Sequence, residues 1–234
     1  MTLGKQFRCY DYFMSTRTIA FSENEFYHVY NRGTEKRTIF ESAVDYDRFL
    51  ELLFLANNQT PFNVRDIRHK YENVFEYPRD KQLVAIGAHC LMPNHFHLLL
   101  REKTEGGITK FMGKLATGYS MYFNKKYERT GSLFEGHFKA KHADTDEYLK
   151  YLFSYIHLNP AKLNQPDWKE KGIADEDVTF NYVREYRYSS LPDYFGVARD
   201  LNAVLDKASF PEYFSSADVL QKELFSWLTF ANSP

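Results

Sequence analysis

The chain has 234 residues, 44% hydrophobic and 26% charged, which suits one ordinary domain with an extension, or two small ones, and its apolar runs are too short to span a membrane. A net charge of −1 argues against a protein that coats nucleic acid non-specifically, so any anion-binding surface must be local. Two cysteines, Cys9 and Cys90, are too few for a disulfide framework and lack zinc-knuckle spacing, and with no apolar leader at the N-terminus the expected compartment is the cytoplasm.

In chain order, EFYHVYNR over residues 25 to 32 alternates aromatic or β-branched residues with polar ones and ends at Gly33, which predicts a strand leading into a loop. Residues 43 to 56 carry Phe49, Leu50, Leu53 and Phe54 at helical spacing. The polar stretch from 57 to 81, with Pro61 and Pro78, reads as an irregular or partly helical insertion. Two strands follow, 82 to 91 and 95 to 101, joined by the turn-like Met92-Pro93-Asn94 as an antiparallel hairpin. Cys90, inside the first of them, reads as core.

Residues 107 to 127 place Ile108, Phe111, Leu115, Tyr119 and Tyr122 three or four apart, the mark of an amphipathic helix with its lysines outward. A further strand is expected over 133 to 142. Asp144 or Thr145 can then cap a helix from Glu147 to about Leu158, stopped by Asn159-Pro160. Beyond Asn164 the chain turns acidic and loop-rich, with helix candidates near 202 to 207 and 216 to 230. This order predicts an α+β fold, an antiparallel sheet with helices on one face.

The chemistry concentrates in two places. In a strand, side chains two apart share a face, so His95 and His97 of NHFHLLLR present two imidazoles together while Phe96 faces away. On the helix YLKYLFSYIHLNP, Tyr155 and Asn159 are four apart and also share a face. A phenol is a poor nucleophile until a cation or base favours its ionised form, and a metal held by the histidines would supply that cation. Tyr119, Tyr122 and Tyr127 are rival nucleophiles, but none has a ligand partner four residues on, so they read as packing. His157, on the other side of its helix from Tyr155, reads as structural or surface. Between Thr109 and His142 seven Lys or Arg face only two acids, a local basic stretch.

The segments YHVYNRG (27 to 33), HCLMPNHFHLLLR (89 to 101), GYSMYFNKKYERTGSLFEGHFKAK (118 to 141) and YLKYLFSYIHLNPAKL (148 to 163) resemble the single-tyrosine HUH transposases, particularly the REP-associated tyrosine transposases. A weaker echo lies in YRYSSLPDYFG (186 to 196). The resemblance implies a ferredoxin-like catalytic domain over 23 to 164, between an N-terminal tail (1 to 22) and a partly helical C-terminal extension (165 to 234).

It implies metal-dependent nicking and strand transfer on single-stranded or hairpin DNA through a 5′-phosphotyrosine, with Mg²⁺ or Mn²⁺ as cofactor. By the same resemblance Tyr155 is the nucleophile and His95, His97 and Asn159 are the metal ligands. DNA contacts are expected from Asn31, Arg32, Lys125, Lys126, Arg129 and Lys139, although Asn31 and Arg32 could equally cap a loop. Where many members carry an arginine after the glycine, this chain has His137, a weaker phosphate contact. Two other functions compete: a non-catalytic DNA-binding protein of the same fold, and a metallohydrolase of small molecules. Whether the site forms within one chain or across a homodimer is open at this level.

Overall fold

The computed structural model describes residues 19–230; Cys9 and most of the expected N-terminal tail lie outside them. Strand β1 (Phe26–Arg32) is followed by helices α1 (Ala43–Ala56) and α2 (Val64–Lys70), then by the hairpin β2 (Val84–Met92) and β3 (His95–Glu102). Helix α3 (Gly107–Lys126), strand β4 (Lys139–His142) and helix α4 (Asp146–Leu158) come next. The C-terminal part holds the short helices α5 (Ala161–Asn164) and α6 (Trp168–Lys171), then α7 (Glu176–Glu185), α8 (Leu191–Tyr194) and α9 (Ala217–Phe230). Residues 202 to 207, expected as helix, fall in 3₁₀ turns at Asp200–Val204 and Lys207–Ser209 with an extended link between them.

The four strands form one antiparallel sheet in the order β2-β3-β1-β4, the ferredoxin-like arrangement expected. Helices α1 and α3 pack on one face over Val29, Phe96, Leu98 and Leu100. The opposite face is covered as well: α4, with α7 and α9, buries Ala88, Cys90, Met92 and Leu99. A register shift between Ile86 and Ala88 makes this possible on β2. Before it Val84 and Ile86 point to the first core; after it Leu91 does, and Cys90 and Met92 turn to the second. Cys90 is the buried core residue expected, its thiol pushed up by that burial.

The expected strand over 133 to 142 is realised only at Lys139–His142. Gly136 adopts positive φ, which breaks the extended run, and Phe134 keeps only an isolated bridge to Gly33. Gly33 tolerates no side chain, because a Cβ there would sit 2.3 Å from the Arg37 carbonyl oxygen. The chain therefore turns tightly at the end of β1, the strand end that carries Arg32.

Local caps set the helices. The Asp45 carboxylate reaches back to the backbone N–H groups of Glu41 and Ser42, each at 2.9 Å, and fixes the start of α1. Of the two expected caps for α4 it is Thr145 whose hydroxyl accepts the Tyr148 N–H, at 3.2 Å. Asp146 and Glu147 in the first turn favour the same helix through its dipole. Among the described residues no helix is long and apolar enough to cross a membrane.

Candidate active site

The face of the sheet beneath α4 is where the polar side chains converge. Pairing sets Tyr30 opposite His97, Arg32 opposite His95 and His28 opposite Lys141, and directly opposed residues project to the same side. His28, Tyr30, Arg32, His95, His97, Lys139 and Lys141 therefore share one face, while Tyr27, Val29, Phe96 and Leu98 fill the core behind it. His95 and His97 stand together as the two-residue spacing requires, with ring centroids 5.1 Å apart.

Helix α4 lies across this face because Leu149, Leu152, Phe153 and Ile156 are buried in the second core. That packing leaves Tyr155 at the margin, its ring 5.6 Å from the His97 ring and 5.8 Å from that of His28, edge-on to both. Tyrosine and histidines belong to the same chain. Tyr151 and Tyr148 continue the aromatic row along the helix. His157 is fully buried and pairs through Nε2 with the Ser190 hydroxyl at 2.7 Å, a structural histidine as its helix position implied.

The hydrogen bonds fix much of the protonation pattern. The Asn94 amide nitrogen donates to the Lys36 carbonyl at 3.1 Å, which turns its oxygen toward His95 Nδ1 at 2.6 Å. An amide oxygen only accepts, so His95 carries its proton on Nδ1 and presents Nε2 as a lone pair. His97 Nδ1 is held by His28 Nε2 at 2.8 Å. Burial, helped by the charges of Lys162 and Arg32, lowers His95 to about 4; burial and Lys141 lower His28 to about 3. Both are neutral at pH 7. Burial raises the Tyr155 hydroxyl to about 12, with the neighbouring tyrosines adding to the shift, so without a cation it keeps its proton.

Asn159 caps the end of α4, buried, with its amide nitrogen donating to the Tyr155 carbonyl at 2.8 Å. That bond leaves its Oδ1 as the atom to meet a ligand. Among the described residues no three His, Cys, Asp or Glu side chains are grouped to hold a metal. The groups that could hold one here are the two imidazoles and an amide oxygen. Such a set suits an ion that completes its shell with phosphate and water oxygens.

The residues expected to contact DNA separate on inspection. Asn31 is buried and spans its own strand end, accepting the Arg32 N–H at 2.9 Å and donating to the Gly136 carbonyl at 3.3 Å, so the loop-holding alternative describes it. Arg32 forms a two-pronged ion pair with Glu135, which holds that carboxyl below its ordinary range. Lys126, expected to contact DNA, pairs with the buried Asp45, 2.6 Å away, and with the Ser42 hydroxyl. Arg129 donates to the Asn124 side chain at 2.8 Å. Lys125 is exposed near the end of α3, which packs on the sheet face away from the histidines.

Of the three lysines in this group, Lys139 alone stands on the histidine face, which it shares with Arg32 and Lys141. The rival tyrosines are packing residues, as expected. Tyr119 is buried and donates to the Ile39 carbonyl, while Tyr122 and Tyr127 donate to Asp45 at 2.9 and 2.7 Å. His28 and Lys141 escape a reading of the sequence. The alternation YHVYNR does set His28 opposite the apolar Tyr27 and Val29, but a contact across 69 positions has no local signal.

A protein-family model described as "Transposase IS200 like" matches residues 27–159, more than half of the chain. No curated protein matches. Among solved structures, the chain is similar to one titled "Structure of the REP associates tyrosine transposase bound to a REP hairpin", at 12% identity and a TM-score of 0.48, covering 86% of this chain and 100% of that one.

Proposed function

The chain belongs to the IS200-like transposase family, and from that premise we propose that it nicks and rejoins single-stranded or hairpin DNA through a covalent tyrosine intermediate. The observation that carries the reading is the packing of the Tyr155 ring against His28 and His97 within one chain. A nucleophile and a pair of metal-competent imidazoles meet on one sheet face, with Asn159 one helical turn beyond the tyrosine.

In this reading His95 and His97, through Nε2, and Asn159, through Oδ1, hold Mg²⁺ or Mn²⁺. When bound, the ion supplies Lewis acidity to a phosphate oxygen and offsets the charge that builds up there. Tyr155 Oη attacks phosphorus and loses its proton, and the 3′-oxygen leaves and gains one. The 5′ side stays on the protein as a phosphotyrosine. Because one phosphate ester replaces another, a 3′-hydroxyl can reverse the step without an external energy source. Lys139 and Lys141 supply positive charge on the same face for the strand that carries the phosphate.

The test is to incubate the protein with an end-labelled DNA hairpin and Mn²⁺ and to resolve it under denaturing conditions. A labelled covalent adduct is expected from the wild type and none from Tyr155→Phe. Equal adduct from both would remove Tyr155 from its role, and DNA binding without any adduct would leave the non-catalytic reading in its place.

A further inference from the structure

His28 lies inside the sheet face that carries the histidine pair, yet it is not one of the two spaced imidazoles. It comes from β1, diagonal to His97 across the β1–β3 pairing, since His28 faces Leu99 and Tyr30 faces His97. Its Nε2 is 2.8 Å from His97 Nδ1. The two rings lie edge to edge, with centroids 5.0 Å apart and planes 24° from parallel, and both residues are buried.

Of the two facing nitrogens only one carries the shared proton. If His28 donated, His97 would be protonated on Nε2 and could not ligate there. If His97 donates from Nδ1, its Nε2 becomes a lone pair. His95 already has that second arrangement, because the Asn94 oxygen on its Nδ1 can only accept. Metal-bound histidines commonly have their second nitrogen held by an acceptor in this way.

We infer that His28 is a positioning residue that accepts the Nδ1 proton of His97 and so turns His97 Nε2 toward the metal beside His95. The inference rests on the metal-assisted reading above. It also explains an imidazole at position 28 where a carboxylate could orient His97 equally well. A carboxylate would set a buried negative charge beside the phosphate to be attacked, whereas a neutral ring orients the ligand without repelling the substrate.

The experiment uses the whole protein, ¹⁵N-labelled at histidine, free of DNA and metal. Long-range ¹H–¹⁵N spectra, with His97 assigned by its absence in His97→Gln, are expected to place the His97 proton on Nδ1. A proton on Nε2 overturns the inference. Mn²⁺ binding is then followed by electron paramagnetic resonance, with folding checked by thermal melts. His28→Leu is expected to weaken binding about 10- to 100-fold, and His28→Gln, whose amide oxygen can accept near the place of Nε2, to restore most of it.

Affinity in His28→Leu within about twofold of wild type overturns the inference, as does a folded His28→Gln no better than His28→Leu. Should His28→Leu fail to fold, the Gln variant and the His97 spectrum still decide. Wild-type protein that binds Mn²⁺ no better than His95→Ala would instead overturn the metal reading itself, and the tautomer would then be judged on the spectrum alone.

Discussion

The ring of Tyr155, from helix α4, stands edge-on to the ring of His97, from strand β3 of the same chain, at 5.6 Å between centroids. A site assembled in this way needs no second subunit. Mixing His97→Ala protein with Tyr155→Phe protein is therefore expected to give no covalent adduct, however long the two are allowed to exchange. Recovery of adduct in the mixture would mean that the tyrosine reaches the histidines of another copy.

Replacing His95 or His97 with alanine is expected to abolish adduct formation, a loss of at least a hundredfold, while DNA affinity changes less than about threefold. The reason is that charge, not the ion, dominates binding to a phosphate backbone. Gel-shift titration beside the adduct assay separates the two. Equal loss of binding and cleavage would count against that division of labour.

The basic residues should divide by the face they occupy. Lys139 and Lys141 lie on the histidine face, so Lys139→Ala or Lys141→Ala is expected to weaken binding to single-stranded DNA and to reduce the slope of log K against log salt by about 0.7 for each phosphate that is no longer neutralised. Lys126, paired with Asp45 at 2.6 Å, acts in the fold instead, so Lys126→Ala is expected to leave that slope unchanged and to lower Tm. A slope that falls for Lys126→Ala and not for Lys141→Ala would reverse the assignment.

What the sequence discloses follows from how local each signal is. The helix over 43 to 56 is legible with the bounds observed, because its periodicity is continuous, although its Ser42–Asp45 cap appears only in the structure. His95 and His97 can be set on one face because strand geometry alone decides it. By contrast, the second core depends on the shift between Ile86 and Ala88, which exchanges the inward and outward residues of β2 and leaves no mark in composition. The partners of Asn31 and Lys126 are equally non-local: Gly136 lies 105 positions from the first, Asp45 81 from the second. A lysine read only by its neighbours looks available to a phosphate. Its use is decided by whichever buried carboxylate the fold brings to it.

Asp45 provides the test of that last point, because it is fully buried and collects several donors. Burial alone would raise its carboxyl, but the hydrogen bonds from Lys126, Tyr127, Tyr122 and the Ser42 N–H outweigh it and hold the group below its ordinary value. The folded state thus binds fewer protons than the unfolded one between the two values. Stability from this cluster is complete above the unfolded carboxylate range, near pH 4, and is lost as pH falls through the lower folded value. Asp45→Asn removes the charge, weakens the cap of α1 and leaves Lys126 without its partner, at a cost of about 2 to 4 kcal/mol at pH 7. The gap in Tm between wild type and Asp45→Asn should therefore stay constant from about pH 8 to about pH 5 and narrow below about pH 4. A gap that widens toward acid would mean that the carboxylate is destabilised by its burial and that its hydrogen-bond donors do not compensate for it.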